Sequence, residues 1–191
     1  MNKRILIISD THAPYHHPDL IPFLKGIKKK YNPDRIVHIG DECDKHGLNM
    51  HGQDPDLPSA GDELVEARKV IHEIEKLWSN VDILHSNHGS LAYRRSFKAG
   101  IPMAYMRGYN EVLQVGKGWK WHNELTIKLP DGNKVHFHHG KSANILSVGQ
   151  KQGTCYVQGH YHTKYGISYW GNPESLLWAM QAGCLIDKDS M

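Results

Sequence analysis

Cysteine is scarce in this chain, and the three present, Cys43, Cys155 and Cys184, have no paired spacing over 191 residues. No disulfide framework can be read from them, and reduced thiols in a cytoplasmic setting are the expectation. Long apolar runs are missing as well. Lys3 and Arg4 interrupt the N-terminus before an apolar stretch of only a few residues, so neither a membrane span nor a signal peptide is visible. Charge of either sign is nearly balanced; a formal net charge of +3 is too small to argue for nucleic acid by itself. Internal repeats and low-complexity segments are absent. What remains has ordinary globular composition, 39% apolar, and the length suits one domain over 1–191 with a core of two or three layers. The residue in excess is histidine, with 15 copies.

The chain alternates at first and then changes character. Apolar runs at 4–9, 35–39 and 81–86 read as buried strands, with helices expected from Pro18 to about Tyr31 and over 61–78. Lys28, Lys29 and Lys30 close the first helix and are expected to face solvent, near the negative end of its dipole. A loop rich in Gly, Pro, Asp and His fills 47–60, and Ser90 can cap a short helix carrying Tyr93, Arg94 and Arg95. The stretch 99–123 reads as an insertion that shapes a pocket. The second half is mostly strands: 125–129 and 134–138 around the hairpin signal Pro130-Asp131-Gly132-Asn133, then 154–158, 165–169 and 176–180. A helix is expected over 143–152 and a turn at Gly171-Asn172-Pro173. Alternation followed by strands implies two facing sheets with helices outside.

Five short pieces follow the strand-like runs: Asp10-Thr11-His12, Gly40-Asp41, Asn87-His88, His139-Gly140 and Gly159-His160-Tyr161-His162. Strand ends in an open α/β sheet line one crevice, so pieces distant in sequence can converge there. Carboxylate, imidazole and amide form a ligand set for borderline divalent metals. Asp10 and His12 stand two apart, so an extended backbone would aim both to one side. His138 competes with His139, but neighbours on a strand face opposite ways and only one of them should ligate.

These pieces, in this order, resemble the calcineurin-like metallophosphoesterases, whose signature runs DxH, GDxxD or GDxxN, GNH plus an acid, HG and GHxH. The likeness covers roughly Ile5 to Gly183. It implies a four-layer α/β/β/α sandwich of two facing mixed sheets, and a site for two divalent ions. Manganese is the first expectation in vitro, with iron, nickel, cobalt, zinc or magnesium as alternatives. Asp10, His12 and His162 would hold one ion, Asn87, His139 and His160 the other, and Asp41 would bridge. His88 would be catalytic, meeting the phosphate and its leaving oxygen. One block departs from the pattern: Ser86-Asn87-His88-Gly89 lacks the acid after the histidine, and Asp44 or Glu42 could replace it. This variant is similar to phage-encoded members of the family.

The expected activity is metal-dependent hydrolysis of small phosphomonoesters, with (deoxy)nucleoside 5′-monophosphates preferred. Arg94 or Arg95 could bind phosphate in fork geometry. Trp119 and Trp121, with Tyr105 and Tyr109, could stack a base. The alternatives are a phosphodiesterase or nuclease, and a non-catalytic interaction module on the same fold. A small phosphorylated substrate is the expected partner, without a membrane or a long nucleic acid.

Overall fold

The computed structural model describes residues 4–50, 54–171 and 174–189. Four apolar runs, β1 (Ile5–Ile8), β2 (Arg35–His38), β3 (Val81–Leu84) and β4 (Trp119–His122), lie side by side in that order, every pair parallel. Parallel neighbours need long crossovers. These are α1 (Leu20–Tyr31), α2 (Ala60–Leu77), and α3 (Leu91–Lys98) with α4 (Tyr109–Leu113). The second sheet contains β5 (Leu125–Lys128), β6 (Lys134–His138), β7 (Cys155–Gln158), β8 (Tyr165–Gly171) and β9 (Leu176–Ala182), ordered β5-β6-β7-β9-β8. It mixes antiparallel outer pairs with parallel inner ones, and α5 (Ile145–Gln152) crosses from β6 to β7.

Strand alternation splits the core in two. Ile36 of β2 and Ile83 of β3 meet Leu20, Leu24, Ile71 and Ile74 of α1 and α2. Val37 and Leu84, one residue on, turn the other way to pack with Val135, Phe137 and Val157 of the second sheet. With α5 against β7, β8 and β9, the layers run α/β/β/α, the expected sandwich. Its first sheet is parallel throughout rather than mixed, because each of its connections carries a helix.

Local signals explain several boundaries. The Ser59 hydroxyl accepts from the Asp62 amide at 3.2 Å and starts α2 one residue before the expected position. Pro18 precedes α1, and Pro22 sits in its first turn, where the missing N–H removes no helical bond. Lys28 does not simply face solvent; its ammonium donates to the Leu77 carbonyl at the end of α2, at 2.5 Å. Ser90 precedes α3 but caps no amide, donating instead to the Asn87 carbonyl at 3.1 Å. The stretch 99–123 is not a free insertion, since it contributes α4 and the edge strand β4. The turn at Gly171-Asn172-Pro173 lies partly outside the described residues, as does 51–53 of the long loop.

That assignment of 99–123 corrects the reading of its tryptophans. Trp119 is 1% exposed within the helix-facing core and donates from its indole to the Trp78 carbonyl at 3.2 Å, so no substrate can stack on it. Trp121 is half-buried and its ring is already stacked on Tyr109, centroids 5.3 Å apart. Cys43, Cys155 and Cys184 are free thiols. No helix among the described residues is long and apolar enough to cross a membrane.

Ile71, fully buried between α2 and the first sheet, should cost about 2–5 kcal/mol on truncation to Ala. Val65, half exposed on the same helix, should change stability by only about 0.5 kcal/mol when cut to Ala. Urea denaturation of the two variants measures the contrast.

Candidate metal centre

The five motif pieces converge where β1, β2, β3, β6 and β7 end. Asp10, His12, Asp41 and His162 form one group of donor atoms, and Asp41, His139 and His160 form another, with each group's atoms within 4.8 Å of one another. In the first, His12 Nε2 is 3.1 Å from His162 Nε2 and 3.6 Å from Asp41 Oδ2, while His162 Nε2 is 3.5 Å from Asp10 Oδ1. In the second, His139 Nε2 is 3.2 Å from Asp41 Oδ2, 3.2 Å from His160 Nδ1 and 2.7 Å from Asn87 Oδ1. The same oxygen of Asp41 thus belongs to both groups.

These separations suit two ions. Ligands held at about 2.0–2.2 Å from a metal stand roughly 3.0–3.5 Å apart on adjacent corners of its coordination shell. Tautomers agree with this geometry. His12 Nδ1 pairs with Asp44 Oδ1 at 2.6 Å and His139 Nδ1 donates to the Ile39 carbonyl at 3.0 Å, so the Nε2 lone pairs turn inward. His138 is directed elsewhere, its Nδ1 accepting from the Gly140 amide at 3.0 Å, and burial pushes its pKa down to about 4. Of the two neighbours, His139 is the one in the cluster.

The protonation of the cluster reflects the same crowding. Burial alone would push the Asp41 carboxyl up, but the hydrogen bond and charge of His139, with His88 and His12, hold it well below the carboxylate range. His139 is lowered by burial but raised more by Asp41, and ends above the usual imidazole value. The Asp10 hydrogen bond raises His162, whereas burial lowers His160.

The backbone at these positions departs from the expected geometry. Asp10, His12, Asp41 and His160 all have left-handed φ, at 49°, 46°, 50° and 69°. Asp10 and His12 therefore reach one group through a twisted turn rather than by extended alternation. Three main-chain bonds hold that turn against the next loop: Asp10 N–H to Gly40 O, His12 N–H to Asp41 O and Ala13 N–H to Glu42 O, at 3.2, 2.9 and 3.1 Å. Gly40 has φ 105°, and a Cβ there would lie 2.7 Å from the Ser86 Cβ. Only glycine fits.

His88 sits beside this cluster, its ring edge-on to His12 with centroids 4.7 Å apart. Its amide donates to Asp41 Oδ1 at 3.1 Å, and its Nδ1 donates to the Asp44 carbonyl at 2.5 Å, with Asp44 Oδ1 3.4 Å away. Asp44 thus holds His88 through its main-chain carbonyl, while its carboxylate, the second acid of the GDxxD block, pairs with His12 Nδ1 at 2.6 Å. Glu42 does neither: its carboxylate is 1% exposed, has no hydrogen-bond partner among the described residues, and comes only within 3.9 Å of Lys45 Nζ.

The departure at 86–89 has a steric logic of its own. The Ser86 hydroxyl accepts from the Asp41 amide at 2.9 Å and from the Gly89 amide at 3.0 Å. A Cβ on residue 89 would stand 2.8 Å from that same oxygen. Serine at 86 and a side chain at 89 compete for one space, so the two departures form a single exchange.

Arg94 and Arg95, both exposed, each donate to carbonyls. Arg94 donates to Asn87 O at 2.8 Å, while Arg95 donates to Leu48 O at 2.7 Å and to Asn49 O. Arg94 therefore steadies the Asn87 loop, and Arg95 ties α3 to the loop after β2. Two residues that pattern reading missed are Gln158 and Gln181. Gln181, nearly buried, donates to Gly159 O at 2.6 Å, and Gln158 bridges Gln181 and Ser142 O at 2.9 and 2.6 Å. Together they join the loop carrying His160 to the segment after His139. Their only sequence signal is two amides at ends of apolar strands.

Two outcomes follow from this geometry. Asp41→Asn should lose both ions together, read as metal content per chain; full two-metal occupancy would remove Asp41 from the bridging position. Gly89→Asp should destabilise by about 1–3 kcal/mol through overpacking. Its cost should shrink by about 1 kcal/mol or more in a Ser86→Gly background, measured as a double-mutant cycle in urea.

Comparison with known proteins agrees with the site. The calcineurin-like phosphoesterase family model matches residues 3–184. The Gene 54 proteins of Mycobacterium phages D29 and L5 are 26% and 24% identical, in each case over 98% of this chain and 81% of theirs. Among solved structures, the Escherichia coli phosphoesterase Yfce superposes with a TM-score of 0.54 at 15% identity, covering 97% of this chain and 82% of that one. Vacuolar Protein Sorting 29 from Cryptosporidium parvum gives 0.51 at 12%, covering 100% and 79%. The fold is shared at those identities, and the family match, with the clustered His and Asp donors, identifies the chain: it belongs to the calcineurin-like phosphoesterases and is a metal-dependent phosphoester hydrolase.

Proposed function

We propose that this chain hydrolyses small phosphate monoesters, with (deoxy)nucleoside 5′-monophosphates as the first class to test and manganese as the first ion. The observation that carries the reading is the single Asp41 oxygen shared by two donor groups beside His88. Divalent ions bound there would acidify a water toward neutrality and offset phosphate charge. The chain's own residues do the rest. Asp41, Asp10, the Nε2 atoms of His12, His139 and His162 and Nδ1 of His160 would hold the ions, and Asn87 would contribute a neutral oxygen that keeps the site from becoming too anionic for a phosphate. His88, with Nδ1 engaged by the Asp44 carbonyl, has Nε2 left to hold a proton for the leaving oxygen. The net charge of only +3 favours a small substrate over a long polyanion. Since Trp119 is in the core, any base contact must come from another surface.

His88→Ala should keep both ions and lose turnover by about 10²–10⁴-fold, the scale of a positioned acid. Unchanged turnover at saturating substrate removes His88 from catalysis. A panel of a mono-aryl phosphate, 5′-nucleotides, a bis-aryl phosphate and DNA, run with chelator and then with added manganese, tests the substrate class. Faster cleavage of the bis-aryl phosphate or DNA than of any monoester would replace this reading with a phosphodiesterase.

A further inference from the structure

β8 is the last strand of the second sheet, bonded among the described residues to β9 on one side only, and its seven residues carry no charge and no proline. Edge strands of chains that stay single are usually short, charged, bulged or covered, because an open row of N–H and C=O groups templates further pairing. This one has none of the charged protection and shows a row of large side chains. Tyr165, Ile167 and Tyr169, alternate residues on one face, are 86%, 50% and 60% exposed, and Leu176, opposite Gly171 on β9, is 64% exposed. The row continues the face on which Val157 and Met180 pack between the sheets.

We propose that β8 pairs antiparallel with β8 of a second copy about a two-fold axis at Ser168, joining two five-stranded sheets into one of ten strands. The sequence Tyr-Gly-Ile-Ser-Tyr-Trp-Gly complements itself in that register. Tyr165 falls opposite Gly171 of the other copy, so its ring covers that glycine, a recognised device for stabilising glycines in sheets, while Trp170, whose ring packs on Gly149 of its own α5, stands opposite Gly166. Ile167 falls opposite Tyr169, a β-branched–aromatic pair of the favourable kind. Ser168 meets Ser168. No like charges meet, and each contact occurs twice, as an isologous interface requires. The four exposed side chains offer roughly 450 Å² per copy at typical side-chain areas. That is over half of the about 800 Å² per partner that a stable interface buries, and the paired main chains add to it.

The proposal concerns assembly, so its test reads mass rather than hydrolysis. Light scattering on the full-length chain should give twice the chain mass, and Ile167→Lys should give the single mass with an unchanged circular dichroism spectrum. If Ile167→Lys does not fold, Tyr169→Lys takes its place and should also give the single mass. Ser168→Cys should form an intermolecular disulfide on mild oxidation that the parent chain, also carrying Cys43, Cys155 and Cys184, does not form. A parent chain that stays single to its solubility limit overturns the proposal, whether or not it captures some other protein. So does a doubled mass that survives a charge at 167 or 169, or a Ser168→Cys dimer that never cross-links.

Discussion

A carboxylate at the end of β2, in the space where two sheets meet, loses its water and has to be repaid in other contacts, since an unpaired buried charge is among the costliest features a fold can hold. Asp41 finds them on every side: the His88 amide on one oxygen, the His12 and His139 rings on the other, and the Ser86 hydroxyl on its own amide. The first sheet provides Asp10, His12, Asp41 and Asn87, and the second provides His139, His160 and His162. Each donor group therefore draws on both sheets. An ion bound at either position would fasten one sheet to the other, and stability should then rise with free metal as for any ligand that binds only the folded state.

Much of this was legible in sequence because the informative residues lie at strand ends. Apolar runs of five or six residues located β1, β2, β3, β6 and β7 to within two residues, and the motifs after them named the ligand candidates. The failures have physical causes too. Trp119 looked like surface in a segment rich in Gly and Pro, yet it packs against α2 in the first core. β4 escaped because Trp119-Lys120-Trp121-His122 is no continuous apolar run of the kind that marked β1, β2 and β3. The carbonyls that Arg94 and Arg95 meet at loop ends were not legible either, since nothing in the pattern announces their need for donors. The partner of His88 Nδ1, the Asp44 carbonyl, was open in sequence because it depends on how the loop after β2 folds back against His88.

Local propensity yields to function at the ligands themselves. Non-glycine residues seldom adopt left-handed φ, and Asp10, His12, Asp41 and His160 do so together in one site. The crossed main-chain bonds between 10–13 and 40–42 hold two of the loops in this shape. Those bonds run between main-chain atoms alone, so the donors are positioned through the backbone of the two loops.

The shared space between Ser86 and residue 89 restricts the order in which such a site can change. A side chain at 89 with glycine at 86, or the Ser86 hydroxyl with glycine at 89, fills the space once. Single steps between the two arrangements keep the Ser86 hydroxyl in its bonds only if it and a side chain at 89 are never both present, because a Cβ at 89 would lie 2.8 Å from that oxygen. The intermediate, Gly-Asn-His-Gly, keeps the asparagine and histidine but leaves the amides of residues 41 and 89 without the acceptor that Ser86 now supplies. That path runs through a loosened intermediate in either direction, whereas the other order forces the Ser86 oxygen out of its two amide bonds.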